Sequence, residues 1–258
     1  MIRIKENTIA LLTIVRREIV RFFRIWSQTL LPPVISVLLY FIIFGNLIGS
    51  RIGTMGGVSY IEYIVPGLIM MSIITNAYGN VVASFFSSKF QRNIEEMLVS
   101  PMPNSIILWG YILGGVARGV VVGALVTLLS FFFAKPVMAN LGLVFFVAIL
   151  TATLFSLAGL LNGIFAKKFD DINIIPTFVL TPLTYLGGIF YSIELLPGFW
   201  RGVTYFNPIF YMVNAFRYGM LGYSDVDVRL ALLIIIAFIV ALYIASLQLL
   251  KRGVGTRS

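Results

Sequence analysis

Cysteine and histidine are absent from this chain of 258 residues, and only 11% of its residues are charged. Without these two residue types the chain has no disulfide bond, no Cys/His metal site, no Ser-His-Asp triad and no Cys-His dyad. Soluble domains carry about 25% charged residues. This chain is 59% hydrophobic and has a mean hydropathy of +0.99. The composition therefore favours an integral membrane protein over a soluble enzyme.

Apolar runs recur along the chain at the length of membrane-spanning helices, which is about 20 residues. The six runs lie near residues 30–48, 61–86, 106–134, 141–165, 172–192 and 230–250. We therefore predict one all-α transmembrane domain over residues 1–258. Residues 1–27 would form a cytoplasmic segment, residues 28–250 would hold six spans, and residues 251–258 would form a cytoplasmic tail.

Lysine and arginine are unevenly distributed between alternate loops, and this asymmetry predicts the orientation of membrane proteins. With the N-terminus in the cytoplasm, 13 of the 19 basic residues lie inside, five lie outside and Arg118 lies within a span. An even number of spans also puts both termini on one side, so we expect both in the cytoplasm. The net charge of +9 is explained by this topology, and we expect no nucleic-acid partner.

The segment before the first run predicts an amphipathic helix. Its apolar residues recur at spacings of three and four, while Arg17, Arg21 and Arg24 recur on another face. A helix of this kind is suited to lie along the inner membrane leaflet, in contact with lipid. The basic face could serve as a topology anchor or as a docking surface, and one face can serve both roles.

A second amphipathic helix is predicted in the loop between the second and third runs. Asn93 followed by Glu96 three residues later is an N-cap signature, and Pro101 ends the helix. An apolar stripe at i, i+4 and i+8 is formed by Phe90, Ile94 and Leu98. The alternative is an ordinary polar turn, although a plain turn needs neither a cap nor an apolar stripe.

Residues 182–220 mix prolines and glycines with aromatic residues. The stretch is too broken for one straight span and too apolar for a free loop. Irregular backbone at membrane depth is tolerated only where it is buried in protein or lines a wet cavity. We therefore predict a re-entrant helical hairpin on the outer side, between the fifth and sixth spans, or an aromatic belt at the interface. Residues of interest in this region are Trp200, Pro208, Tyr211 and Arg217.

Arg118 is the one charged residue deep within a predicted span, among glycines whose spacing permits close helix approach. It could hold a helix contact, bind substrate or snorkel toward the cytoplasm. The predicted spans contain no mid-membrane Asp or Glu, which proton- and sodium-driven transporters usually need. The sequence also lacks the G-x-x-x-x-G-K-[ST] phosphate loop. We therefore expect the energy for transport to come from another subunit.

Five segments, taken in order, resemble the ABC-2 type permeases, which are the membrane subunits of one class of ABC transporter, the type V exporters. These segments are Phe41–Gly53, Val65–Asn80, Lys89–Glu96, Phe169–Ser192 and Asn207–Gly222. The resemblance covers nearly the whole chain. It implies a fold of six spans with an interfacial N-terminal helix and a re-entrant hairpin between the last two.

The resemblance also implies that the loop after the second span contains the coupling helix, which in the family fits a groove on the ATPase subunit. Many members have Gly-Thr where this chain has Asn93 and Ile94, which leaves open the polar contacts of the helix. The matching positions are Arg92, Asn93, Glu95, Glu96, Leu98, Ser100 and Pro101.

The implied assembly contains two permeases, as a homodimer, and two ATPase subunits that bind ATP and magnesium, in the bacterial inner membrane. This chain would then carry no cofactor and catalyse no reaction, and would export a drug, a lipid or a glycan. One alternative is an ATP-independent channel or secondary transporter. Another is a membrane enzyme with carboxylate chemistry at Glu95-Glu96 or Asp170-Asp171.

Overall fold

The computed structural model describes residues 2–135 and 138–255, which are mostly helical. The helices are α1 (Ile2–Arg24), α2 (Trp26–Thr29), α3 (Leu31–Tyr40), α4 (Gly49–Ile52), α5 (Tyr60–Phe90), α6 (Asn93–Val99), α7 (Asn104–Ser130), α8 (Leu141–Phe165), α9 (Asp171–Ile175), α10 (Thr181–Tyr185), α11 (Gly198–Tyr205), α12 (Pro208–Leu221) and α13 (Val228–Arg252). Wider π-helical turns over Phe41–Ile48 and Pro176–Leu180 join α3 to α4 and α9 to α10, and Ile193–Leu195 is a 3-10 turn. Residues 256–258 of the predicted tail lie outside the described residues.

Five helical stretches within the described residues are long and apolar enough to cross a membrane. They are Trp26–Ile52, Tyr60–Phe90, Asn104–Ser130, Leu141–Phe165 and Val228–Arg252. They correspond to the first four predicted runs and the sixth, so the prediction of an all-α integral membrane protein is confirmed. The count of six spans stays a prediction.

The fifth predicted run, 172–192, forms a shorter helix than expected. It is continuous only from Asp171 to Tyr185, through α9, a π-helical turn and α10. The chain then turns through Gly187 and Gly188, and Gly188 has φ +72°, a left-handed conformation that only glycine adopts readily. The 15 residues of this helix rise about 22 Å, which is less than the thickness of the hydrocarbon core.

Helix α5 is the centre of the fold, with 22 of its 31 residues buried. It begins with a capping box, in which Ser59 Oγ accepts from the N–H of Glu62 and Glu62 Oε2 accepts from the N–H of Ser59. Two short antiparallel strands, β1 (Thr54–Met55) and β2 (Val58–Ser59), precede it. We call this end of the bundle the β-hairpin end and the opposite end the α6 end.

Helices α1 and α8 approach their neighbours closely through glycines. A Cβ atom at Gly159 of α8 would lie 2.5 Å from the carbonyl oxygen of Tyr78 in α5. A Cβ atom at Gly114 of α7 would lie 2.5 Å from Cβ of Glu18 in α1. Small residues at such contacts let the backbones of membrane helices approach closely and gain packing contacts. The glycines therefore set the spacing of the bundle.

Helices α11 and α12 form a hairpin at the β-hairpin end, joined at residues 206–207. Asn207 caps α12, because its Oδ1 accepts from the N–H of Ile209 at 3.0 Å, and its amide donates to the carbonyl of Leu183 at 2.6 Å. Ten of the 14 residues of α12 are buried. Two joined helices are what the hairpin prediction requires, while their re-entrant placement in a membrane stays a prediction.

Gly159→Ala is expected to destabilise the protein by about 1–3 kcal/mol, the usual cost of overpacking, because backbone atoms of α5 must move. Gly79→Ala is the matched control on the facing helix, since a Cβ there would meet no atom of the described residues within 4 Å. Thermal unfolding of both variants in detergent checks this. Equal midpoints for the two variants would contradict the close contact of α5 and α8.

Candidate coupling site and buried polar networks

Helix α6 lies between α5 and α7, where the sequence predicts it, but its cap differs from the prediction. The N-cap position is Arg92, in a left-handed conformation with φ 62°, so Asn93 is already the first helical residue. The predicted Asn93–Glu96 cap is therefore wrong. The chain reverses at Arg92 on leaving α5, and the Asn93 amide instead donates to Gln91 Oε1 at 3.2 Å.

The apolar stripe of α6 is only partly turned inward. Ile94 is fully buried among apolar residues of α5, α7 and α8, and Leu98 packs against the same cluster. Phe90 is 64% exposed and contacts Phe169 edge to face, with ring centroids 5.0 Å apart. Val99 is 86% exposed. Helix α6 is thus anchored by the buried side chain of Ile94, and its C-terminal end is exposed.

The residues after α6 form a groove with the first turns of α1. Ser100 ends the helix by donating from Oγ to the carbonyl of Met97 at 2.6 Å, and Pro101 follows it. A cavity of about 380 Å³ separates this turn from α1 and is lined by Glu6, Asn7, Ala10, Ser100, Pro101 and Met102. The exposed surface of α6 is therefore continuous with that of α1.

The predicted coupling residues are mostly accessible from outside. Arg92, Asn93, Glu96 and Pro101 are exposed, and Glu95 and Ser100 are partly exposed.

Glu18 is a buried carboxylate that the sequence reasoning missed. It is only 1% exposed and accepts a hydrogen bond from Ser84 Oγ of α5 at 2.7 Å. The guanidinium of Arg21 lies 3.0 Å from Glu18 Oε2 and that of Arg17 lies 3.3 Å from Oε1. Arg21 also donates to Asn80 Oδ1 at 2.9 Å. We call these five residues the Glu18 network.

The Glu18 network changes the interpretation of the basic face of α1. Arg17 donates to the hydroxyl of Tyr111 in α7 at 2.9 Å. Burial lowers the pKa of Arg17, but Tyr111 and Glu18 oppose it and leave the pKa raised overall. Arg17 and Arg21 therefore bind α5 and α7, although the Arg17 side chain stays 43% exposed. Arg24 is also exposed.

Helix α5 carries a polar residue at every fourth position, and several of these residues bind side chains of α1 and α7. The polar stripe of α5 consists of Ser72, Asn76, Asn80, Ser84 and Ser88, all of them buried. Ser88 accepts from the hydroxyl of Tyr111 at 2.8 Å, and the Asn76 amide donates to the carbonyl of Ser72 at 3.0 Å. The i, i+4 spacing of Ser and Asn inside an apolar run is the signal that could have revealed this stripe.

Arg118 of α7 binds the junction between α2 and α3. Its guanidinium donates to the carbonyl of Thr29 at 3.1 Å and to Asn76 Oδ1 at 3.0 Å. Pro33, four residues after Thr29, has no N–H, so it leaves that carbonyl without its helical partner. Of the three roles considered from the sequence, this geometry favours a helix contact.

Arg217 of α12 is fully buried at the β-hairpin end. Its guanidinium lies 4.1 Å from the centroid of the Tyr63 ring in α5, donates to the carbonyl of Gly188 and lies 3.8 Å from Asp225 Oδ2. Asp225 Oδ1 accepts from Tyr223 at 2.7 Å and from Ser192 at 2.9 Å. Burial, followed by the bond to Asp225, raises the pKa of Tyr223. This Arg217 network joins α5, α12 and two loops, and the sequence reasoning found only Arg217 of it.

The other residues predicted for the hairpin lie apart from this network. Trp200 is 46% exposed on α11, Pro208 is the first residue of α12, and the Tyr211 hydroxyl donates to the carbonyl of Tyr205 at 2.8 Å. Among the described residues, no hydrogen bond or ring contact joins Trp200, Pro208 and Tyr211 to one another.

The short turn before α9 is held by Asp171. Its Oδ2 accepts from the N–H groups of Lys167 and Lys168 at 2.8 and 2.9 Å, and these bonds lower the pKa of the carboxyl group. The side chain is therefore charged at neutral pH and caps the turn. Asn162 of α8 donates to the carbonyl of Ile172 at 3.1 Å, which Pro176 leaves unpaired. These contacts explain the position of this acid without a catalytic role.

Glu18→Gln is expected to lower the free energy of unfolding by about 2 kcal/mol, because Arg17, Arg21 and Ser84 lose hydrogen bonds to a charged group. Arg24→Gln, an exposed position on the same helix, should change it by no more than about 0.5 kcal/mol. Chemical unfolding in mixed micelles, followed by the fluorescence of the three tryptophans, measures both. Equal stability of the two variants would contradict the proposed role of Glu18 in holding α1.

Comparisons with known proteins identify the family to which this chain belongs. The family described as ABC-2 type transporter matches residues 9–221. The chain is 60% identical over 250 residues to "Inner membrane transport permease YadH" of Escherichia coli (strain K12), across 97% of this chain and 98% of that protein. It is 28% identical over 248 residues to "Nodulation protein J" of Rhizobium leguminosarum bv. trifolii, across 92% and 91% of the two chains. The resemblance read from five segments is confirmed: the chain belongs to the ABC-2 type transporter family.

Proposed function

We propose that this chain is the membrane-spanning subunit of an ATP-driven exporter, which moves a still unidentified substrate out across the cytoplasmic membrane. The observation that carries this proposal is the position of α6, a short and largely exposed helix that connects the long helices α5 and α7. A separate ATPase subunit would bind ATP and magnesium, dock on α6, and supply the energy. The permease itself would catalyse no reaction and hold no cofactor.

The packing of α6 supports a role in force transfer. Ile94 is fully buried among residues of α5, α7 and α8. A displacement of α6 would therefore be transmitted to the ends of these helices through direct packing contacts. The exposed residues beside it, Arg92, Asn93 and Glu96, offer both charge signs and an amide to a partner. The groove between Pro101 and α1 would admit a second contact from the same ATPase.

The proposed assembly consists of two copies of this chain and two ATPase subunits, with both termini in the cytoplasm. In this arrangement the helix over residues 171–185 is the fifth of six spans, and the α11–α12 hairpin is the re-entrant element. The excess of basic residues near the α6 end supports this orientation. The name of the YadH relative supports placement in an inner membrane.

A photo-activated amino acid at position 99 is expected to cross-link to an ABC ATPase in native membranes, because Val99 is 86% exposed at the end of α6. Phe132 is the matched control: it is also 86% exposed but lies at the opposite end of α7. Mass spectrometry of the adducts identifies the partner from each position.

The captured ATPase then permits a functional measurement. Co-reconstituted with the wild-type chain, it should hydrolyse ATP at least threefold faster than with Glu96→Ala, while the two chains unfold at the same temperature. The absence of an ATPase adduct at position 99, or an equal yield at position 132, would contradict the proposal. Substrate flux through the chain in liposomes without any ATPase would favour the channel alternative.

A further inference from the structure

The half of the bundle toward the β-hairpin end contains a groove between α7 and α8, which we call the α7–α8 groove. It has a volume of about 410 Å³ and is lined by residues of α5, α7, α8 and α12, and by Met138 before α8. On α7 the lining extends from Val120, just past the middle of the helix, to Phe131, a rise of about 16 Å. The hydrocarbon core of a bilayer is about 30 Å thick, so the groove has the length of one leaflet.

The α7–α8 groove is closed near the middle of the two helices, where they touch. A Cβ atom at Gly119 of α7 would lie 3.5 Å from Cβ of Ala152 in α8. Toward the β-hairpin end, the chain that leads into α8 is held instead by α12, because the N–H of Asn140 donates to the carbonyl of Gly219 at 2.8 Å. The two helices therefore enclose a cleft that is closed at depth and open toward the surface.

The groove is open sideways, but its floor lies inside the bundle. Ile73 of α5 and Phe216 of α12 line the groove and are each only 2% exposed. Leu128 of α7 and Phe145 of α8 line its two sides and are 61% and 59% exposed. An occupant that enters between these two rims would therefore reach side chains that the lipid around the bundle does not touch.

The lining of the groove offers almost no hydrogen bonds. Among the described lining residues, Thr127 carries the one hydroxyl, which donates to the carbonyl of Gly123 within α7 at 2.8 Å. Such walls exclude water and polar ligands, whereas a methylene chain gains van der Waals contacts with them. In a bilayer the nearest methylene chains belong to lipids. The lining therefore fits an acyl chain.

A positive charge lies at the mouth of the groove. Lys135 is exposed and lies four residues after Phe131 and three residues before Met138, both of which line the groove. It is the only charged residue between Arg118 and Lys167, so no acidic residue in this stretch neutralises it. A lysine at the end of a membrane helix extends toward the headgroups, where it attracts anionic lipid. The charge and the apolar cleft are thus arranged like the two parts of a phospholipid.

We propose that the α7–α8 groove binds one phospholipid from the leaflet at the β-hairpin end. One acyl chain lies in the groove between Leu128 and Phe145, and the phosphate lies beside Lys135. The bound lipid differs from the surrounding lipid because its chain contacts the buried side chains of Ile73 and Phe216. It fills the space where α7 and α8 separate and so supports the packing of both helices.

Native mass spectrometry of the full chain in mild detergent, titrated with palmitoyl-oleoyl phosphatidylglycerol, gives an apparent dissociation constant for each bound lipid. Ala124→Phe fills the groove, since Ala124 is an exposed lining residue, and Ala237→Phe is the control at an exposed alanine of α13. Phe145→Ala removes one rim without adding bulk. Phe238→Ala, also exposed and on α13, is the control for that truncation.

We expect the first lipid to bind the wild-type chain at least fivefold more tightly than the second. Ala124→Phe and Phe145→Ala should each weaken binding of the first lipid at least threefold, while their controls keep the wild-type affinity. Lys135→Gln should weaken it about fivefold, the effect of one basic residue near an anionic headgroup. Arg51→Gln, which removes another exposed cation at the β-hairpin end, should leave it unchanged.

Three results would overturn the proposal. The first is equal affinity for the first lipid in Phe145→Ala and Phe238→Ala, a comparison that holds even where the bulkier Ala124→Phe chain fails to fold. The second is displacement of the lipid by glycerophosphate, which carries the phosphate without an acyl chain and would indicate a site for free phosphate. The third is a disulfide between two Ala124→Cys chains in native membranes, which would show that a second copy occupies the groove.

The position of the headgroup is tested separately by the charge variants. Equal affinity for the first lipid in Lys135→Gln and Arg51→Gln would overturn the placement of the phosphate beside Lys135. Lipid binding requires no ATPase, so a failure here leaves the cross-link at position 99 unaffected.

Discussion

The hydrogen bonds made by the polar stripe of α5 are the constraint on which the arrangement of the α6 end depends. Ser84 binds Glu18, Asn80 binds Arg21, and Asn76 binds Arg118. In a membrane, apolar burial contributes little to helix association, because lipid is as apolar as leucine. Polar contacts and glycine packing must then specify which helices meet. The stripe therefore decides where α1 lies, and α1 in turn forms one wall of the groove beside α6.

The same rule explains why charged and amide side chains recur at breaks in the helices. Prolines at 33 and 176 free the carbonyls of Thr29 and Ile172, and Arg118 and Asn162 bind them. Arg217 binds the carbonyl of Gly188 where the shortened helix has ended. An unpaired backbone group costs several kcal/mol in hydrocarbon. The breaks that shape the α6 end and the α11–α12 region are thus stabilised by side chains from neighbouring helices.

Periodicity and composition predicted the class of fold and most helices, because long apolar runs and proline or glycine breaks are local signals. Helix Leu141–Phe165 has the predicted ends. Gly187 and Gly188 mark the early end of the fifth run, whereas the cap of α6 depends on a left-handed turn at Arg92, a residue type that seldom adopts one. Glu18 was missed because its burial arises from α5 and α7, which are remote in sequence. The pairing of Arg217 with Asp225 and Tyr63 required the tertiary fold for the same reason.

Hydrogen exchange of the α1 amides tests the role of the polar stripe most directly. The full chain in nanodiscs is compared with the double variant Asn80→Ala/Ser84→Ala and with Thr75→Ala, an exposed position of α5 whose hydroxyl bonds within its own helix. The account predicts that exchange in residues 9–24 accelerates at least tenfold in the double variant only, while α8 keeps its wild-type rate. Wild-type exchange of α1 in the double variant would contradict the claim that the stripe holds α1 in place.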